Sequence, residues 1–259
     1  MSAKVWLVGA GPGDPELLTL KAVRALNEAD VVLIDDLVNE AVLEHCPQAR
    51  IIAVGKRGGC RSTPQAFIHR LMLRYARQGK CVVRLKGGDP CIFGRGGEEA
   101  QWLRGHGVDV ELVNGITAGL AGATQCDISL TLRGVARGVT LVTAHTQDDS
   151  ELNWHALAQS GTTLVIYMGV AKLGDIRRQL LAGGLAADTP VAMIENASLP
   201  QQRECRSDLT AMQEDAHEFQ LKSPAILVIG AVAACATDEM QAAALWKRGV
   251  GTQEIEQSA

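Results

Sequence analysis

Apolar residues in the first half of the chain come in short runs separated by polar, glycine-bearing segments. Lys4 to Val8, Val31 to Ile34, Ile51 to Val54, Val82 to Leu85 and Val108 to Val113 carry few polar interruptions. That is the pattern of strands covered on both faces. Between the first two runs the spacing turns helical, with Leu17, Leu18, Ala22, Ala25, Leu26 and Ala29 on one stripe, Asp14 placed as N-cap and Pro15 as first helical residue. Further helices are predicted near Pro64 to Gln78 and Gly97 to Arg104. The alternation predicts an α/β fold with a mainly parallel sheet.

The second half repeats the style. Strands are predicted at Val139 to Thr143, Thr163 to Tyr167, Val191 to Ile194 and Ala225 to Ile229, and helices near Trp154 to Gln159, Leu173 to Leu181 and Leu209 to Phe219. Glycine and threonine enrichment over Gly115 to Arg137 marks a weakening of the pattern, so two α/β domains are expected, 1–115 and 116–245. The polar, unpatterned 246–259 is expected to be a frayed tail.

The chain of 259 residues is 47% hydrophobic, enough for real cores in both halves. It shows no apolar run long enough to span a bilayer, and Met1-Ser2-Ala3-Lys4 leads straight into a strand, so a soluble, untargeted protein is expected, with no membrane partner. Seven cysteines, Cys46, Cys60, Cys81, Cys91, Cys126, Cys205 and Cys235, are scattered without a C-x-x-C spacing, which points to a reducing cytoplasm and away from disulfides or structural zinc. The six histidines have no ligand spacing either, and no metal is expected. A net charge of −4 with 3% aromatic residues disfavours nucleic acid as a partner. Local charge is less even. Lys56, Arg57 and Arg61 cluster, as do Arg84, Lys86 and Arg95, and then Arg133 and Arg137, groups suited to an anionic small molecule.

Two glycine-rich segments carry the candidate chemistry. Gly9-Ala10-Gly11-Pro12-Gly13-Asp14-Pro15 follows the first strand and precedes a helix, where backbone N–H groups meet polar ligands. The third glycine comes one residue too early for a dinucleotide fingerprint, and Pro12 removes an N–H that a pyrophosphate would use. Asp35, at the end of the second strand, imitates the ribose-binding acid of dehydrogenases. By itself this motif fits a nucleoside ligand and a plain tight turn equally well. Lys86-Gly87-Gly88-Asp89-Pro90 and Phe93-Gly94-Arg95-Gly96-Gly97-Glu98-Glu99 follow another buried strand, and a turn's need for positive φ explains their glycines but not Asp89, Arg95 or Glu98.

These segments, together with G-K-R, G-I-T-A, T-L-V-I-Y-M-G and S-P-A-I-L-V-I-G, resemble the tetrapyrrole methylases from about Val5 to Val232, and within them the members that methylate uroporphyrinogen III. The resemblance implies two α/β domains of the tetrapyrrole methylase type with the active site in the trough between them, a homodimer, and S-adenosyl-L-methionine as co-substrate. Carried over by position, the cofactor contacts fall on Pro12, Gly87, Gly88, Asp89, Ile92, Thr117, Ala118, Met168 and Ala197. Read alone, Thr117 and Ala118 serve equally as a helix start and Met168 as core. The proton acceptor and donor fall on Asp35 and Lys56, where Asp35 ends an apolar strand and partial burial suits a carboxyl for work as a base. Substrate carboxylates and ring fall to Arg95, Glu98 and Arg133, since the guanidinium fork binds carboxylate bidentately.

The expected reaction is methyl transfer to C2 and C7 of uroporphyrinogen III, giving precorrin-2 by way of a monomethylated intermediate. Alternatives are a methylase of a later precursor such as precorrin-2 or precorrin-4, a nicotinamide dehydrogenase, and a non-catalytic tetrapyrrole-binding module. The sequence departs from the family pattern at Ile34, where relatives have tyrosine, at Asn114, where a proline is common and a looser turn is expected, and at Leu132, where histidine is usual. No dehydrogenase and chelatase module precedes the first strand, so the free-standing type is expected.

Overall fold

The computed structural model describes residues 4–55, 63–145 and 152–234. Lys56, Arg57, Cys60, Arg61, Cys235 and the expected tail 246–259 lie outside the described residues. The chain divides into two compact units, Met1–Ala118 and Gly119–Ala259.

The first unit holds strands β1 (Lys4–Gly9), β2 (Val31–Ile34), β3 (Arg50–Ala53), β4 (Val82–Lys86) and β5 (Asp109–Val113), with helices α1 (Leu20–Asn27), α2 (Gln65–Arg77) and α3 (Gly96–Gly105). The strands lie in the order β3-β2-β4-β1-β5 and all neighbours are parallel. The period of two along each strand sorts side chains between two cores. Trp6 and Val8 pack with Ala22, Ala25 and Leu26 of α1, while Val5 and Leu7 pack with Ile68 and Met72 of α2 and Leu103 of α3. Asp14 caps as expected, accepting from the Glu16 N–H at 2.9 Å, but what it caps is a single 3-10 turn, Pro15–Leu17. The chain is extended at Leu18, and α1 begins afresh with Thr19 as its N-cap, whose hydroxyl accepts from the Ala22 N–H at 3.1 Å.

The second unit departs from the expected parallel sheet. Helix α4 (Ala118–Gln125) fills the stretch that the sequence leaves without pattern, its apolar face built from glycine and alanine rather than from large residues. Then come β6 (Val139–Thr143), α5 (Trp154–Gln159), β7 (Thr163–Tyr167), α6 (Leu173–Ala182), β8 (Pro190–Glu195), β9 (Arg203–Asp208), α7 (Met212–Glu218) and β10 (Ala225–Ile229). Their order is β6-β7-β10-β8-β9, and among these neighbours β6 and β7 alone are parallel. The link from β8 to β9, residues 196–202, is too short for a crossover, so β9 folds straight back. β9 escapes sequence reading because it is an edge strand of charged and polar residues, Arg-Glu-Cys-Arg-Ser-Asp, which blunt an open edge instead of filling a core. The unit's core gathers Leu164, Ile166, Ile176, Leu180, Val191, Met193 and Leu227.

Candidate active site

In the first unit three loops meet at the carboxyl ends of the parallel strands, where such sheets present ligands. The turn after β1 and the turn after β4 are joined by backbone exchange. Gly88 donates to the Gly11 carbonyl at 2.6 Å, Gly11 donates to the Gly88 carbonyl at 3.2 Å, and Ala10 donates to the Lys86 carbonyl at 2.7 Å. Gly9 is required by close approach: a Cβ there would sit 2.6 Å from both Gly115 N and Gly88 O. Gly115, after β5, would collide with Gly88 O and Gly9 in turn. Gly11 and Gly88 have φ of 72° and 68°, a region in which glycine alone is unstrained.

Asp89 is buried among these loops. Its carboxylate accepts from Cys91 N–H at 2.7 Å, Gly115 N–H at 3.1 Å and the Asn114 side-chain amide at 3.3 Å. Asn114 therefore ties the turn in which a looser conformation was expected, through a donor that proline lacks. Pro12 lies half-buried in the first loop, whose Gly13 carbonyl accepts from Asn39 at 2.8 Å. Ile92 is half-buried beyond Asp89, and Thr117 is buried beside Gly88. Ala118 does begin a helix, α4.

Asp35 directly follows β2 at the same edge, partly buried, and the groups around its carboxylate are cationic. Arg84 and Lys86 stand two residues apart on β4 and share the face turned to α2 and α3. Arg84 Nη2 donates to Asp35 Oδ2 at 2.6 Å, and Lys86 Nζ lies 3.7 Å from the same oxygen. Arg84, 2% exposed, is held further by the carbonyls of Leu33 and Leu85 and by Glu99 Oε1 at 3.4 Å. Glu99, fully buried in the first turn of α3, also accepts from Lys86 at 3.4 Å and from Gln65 at 2.6 Å. His69 neighbours Gln65 at 3.2 Å and stacks on Trp102. Burial pushes the Lys86 ammonium below its ordinary range, with Arg84 adding to this and Glu99 and Asp35 opposing it. In the sequence Arg84 and Lys86 stand out as charge alone and Glu99 does not stand out; the signal of a buried network is the i, i+2 spacing of two cations inside an apolar strand.

Arg95, at φ 58°, stands at the N-cap position of α3 without a side-chain capping bond and pairs with Glu98 through contacts of 2.7 to 3.2 Å, both side chains exposed. In the second unit Met168 follows β7 and Ala197 follows β8, at the same end of that sheet. Met168 is not core: it is 50% exposed with φ 56°, and Ala197 is flanked by Asn196 and Ser198 at φ 52° and 64°. Such strained non-glycine residues cluster at ligand-holding loops. Arg133 is exposed in the tight turn 132–136 that leads into the amino end of β6, and is not brought together with these two. Lys56 lies outside the described residues. Among the described residues no group of three or more His, Cys, Asp or Glu is arranged to hold a metal ion, and no helix is long and apolar enough to cross a membrane.

Comparison with known proteins gives four findings. The family described as Tetrapyrrole (Corrin/Porphyrin) Methylases matches residues 4–213. A uroporphyrinogen-III C-methyltransferase of Pseudomonas fluorescens is 78% identical over 233 residues, 90% of this chain and 94% of that one. Among solved structures, uroporphyrin-III C-methyl transferase of Thermus thermophilus complexed with S-adenyl homocysteine is 43% identical with a TM-score of 0.77, over 88% of this chain and 98% of that one. A cobalt precorrin-4 methyltransferase reaches a TM-score of 0.81 at 27% identity, over 90% and 97%.

Proposed function

The chain belongs to the tetrapyrrole (corrin/porphyrin) methylases, and from that premise we infer that it is an S-adenosyl-L-methionine-dependent uroporphyrinogen-III C-methyltransferase. It methylates C2 and then C7, giving precorrin-2 and releasing S-adenosylhomocysteine each time. The observation that carries the substrate is the 78% identity to a relative of that activity across almost the whole of both chains. Likeness to the precorrin-4 enzyme is closer in backbone but far lower in sequence, so it speaks for the shared fold more than for the substrate.

The residues present suit the methyl donor. Loops of glycine and backbone polar groups after β1 and β4 match a nucleoside better than a polyanion. When bound, S-adenosyl-L-methionine supplies an activated methyl group. In this reading the residues that hold it are Pro12, the Gly87-Gly88-Asp89 loop, Ile92, Thr117, Ala118, Met168 and Ala197. Asp89 acts by fixing the loops, since its carboxylate is taken up by protein donors. Asp35, aimed by Arg84, takes a proton from the ring system, and Lys56 returns one. Arg95 exchanges Glu98 for a substrate carboxylate, and Arg133 meets another. The working form is taken to be a cytoplasmic homodimer, to be checked by sedimentation equilibrium against the 27.5 kDa chain mass.

The deciding experiment is anaerobic incubation with uroporphyrinogen III and methyl-labelled S-adenosyl-L-methionine, read by mass. Gain of two methyl groups is expected. Binding of the methyl donor with no transfer would move the substrate to a later precursor.

A further inference from the structure

Behind Asp35 stands a closed set of buried charges, larger than one carboxylate and one arginine. Among the described residues the groups that face it are Arg84 and Lys86 from β4, Glu99 from α3, with the Arg95–Glu98 pair nearby, and Gln65 and His69 from α2; Asp36 adjoins it in the chain. Arg84, Lys86 and Glu99 together leave one net positive charge towards Asp35.

Glu99 is costly to keep. It is fully buried, its Oε1 receives three donors, and its Oε2 has no hydrogen-bond partner among the described residues. A buried carboxylate with an unsatisfied oxygen costs stability even when its other oxygen is paired. What Glu99 offers in return is visible in the geometry: its Oε1 contacts both cations that reach Asp35.

Resting on the reading of Asp35 as the base, we propose that Glu99 is a positioning residue for methyl transfer: it orients Arg84 and Lys86 and offsets one of their two charges, so that Asp35 is fixed in direction and still accepts a proton. Without Glu99 the carboxylate would face two uncompensated cations, which favour its ionised form and weaken it as a base.

The test is the pH profile of kcat for methyl transfer to uroporphyrinogen III by wild type, Glu99→Gln, Lys86→Met, the double variant and Asp35→Asn. In Glu99→Gln the acidic limb moves to lower pH by about one unit and the plateau falls about tenfold, with KM for S-adenosyl-L-methionine unchanged. Lys86→Met moves the limb the opposite way. The double variant, which keeps one net positive charge, brings it back to the wild-type position. If Glu99→Gln does not fold, the opposite shift in Lys86→Met and its reversal in the double variant carry the proposal. An acidic limb that stays put in every folded variant overturns it, because a merely structural glutamate alters stability and not the limb. Wild-type turnover by Asp35→Asn is a separate result, which removes the reading of Asp35 itself.

Discussion

Asp35 and Lys56 carry the proton chemistry in the reading above, and they are separable from binding. Replacing either by alanine is expected to lower methyl transfer by about 10²- to 10⁴-fold, the usual worth of general acid–base catalysis, while equilibrium dialysis finds S-adenosyl-L-methionine bound as in wild type. A wild-type rate in both would remove the assignment. At this scale the sequence made Asp35 legible as a strand-end acid, because an apolar run breaks off there. Its partners were hidden for a physical reason: a buried cation is stable only with a counter-charge, and the counter-charge, Glu99, comes from a helix 15 residues beyond Arg84. Met168 was ambiguous for a related reason, since a thioether suits a core and a loop tip alike, and only its positive φ and exposure decide.

The elements most legible in the sequence are those built from short β-branched and apolar runs. Four of the strands, β2, β6, β7 and β10, fall on the expected residues; β2, β7 and β10 are buried almost throughout, and β6, a mostly half-buried edge strand, shares their composition. Elements held by other means were not legible: β9 by charged side chains, Arg206 donating to the carbonyls of Ala233 and Cys126 at 2.7 and 2.9 Å, and α4 by glycine and alanine packing, Gly119 N–H donating to the Tyr167 hydroxyl at 3.0 Å. The start of α1 makes a local test. Thr19→Ala removes its cap and should cost about 1 kcal/mol in urea denaturation, whereas Asp14→Ala touches only the preceding 3-10 turn and should cost less. Equal losses would mean that the turn and α1 form one element.

Across the whole molecule, several carboxylates sit below their ordinary range: Asp30 through the Cys81 N–H, Glu98 through Arg95, Glu111 through Lys21 and Lys4, and Glu195, where burial pushes upward but Arg203 and the Lys222 N–H prevail. A group with a depressed folded value contributes stability above its unfolded value, and that contribution is lost as pH falls through the folded one. Denaturation midpoints should therefore be level near neutrality and fall below about pH 4.5, whereas a midpoint that held steady to pH 3 would contradict these pairings. The mixed sheet of the second unit was not legible because strand direction is set by the length of connections, which apolar patterning does not encode. The glycine contacts among Gly9, Gly88 and Gly115 bear on mechanics as well as on packing. Loops that exchange backbone hydrogen bonds and leave no room for a methyl group between them move as one plate, so no hinge lies between the turn after β1 and the turn after β4. Amide exchange should therefore be slow at Gly11 and Gly88, whose N–H groups are both taken up in those backbone hydrogen bonds.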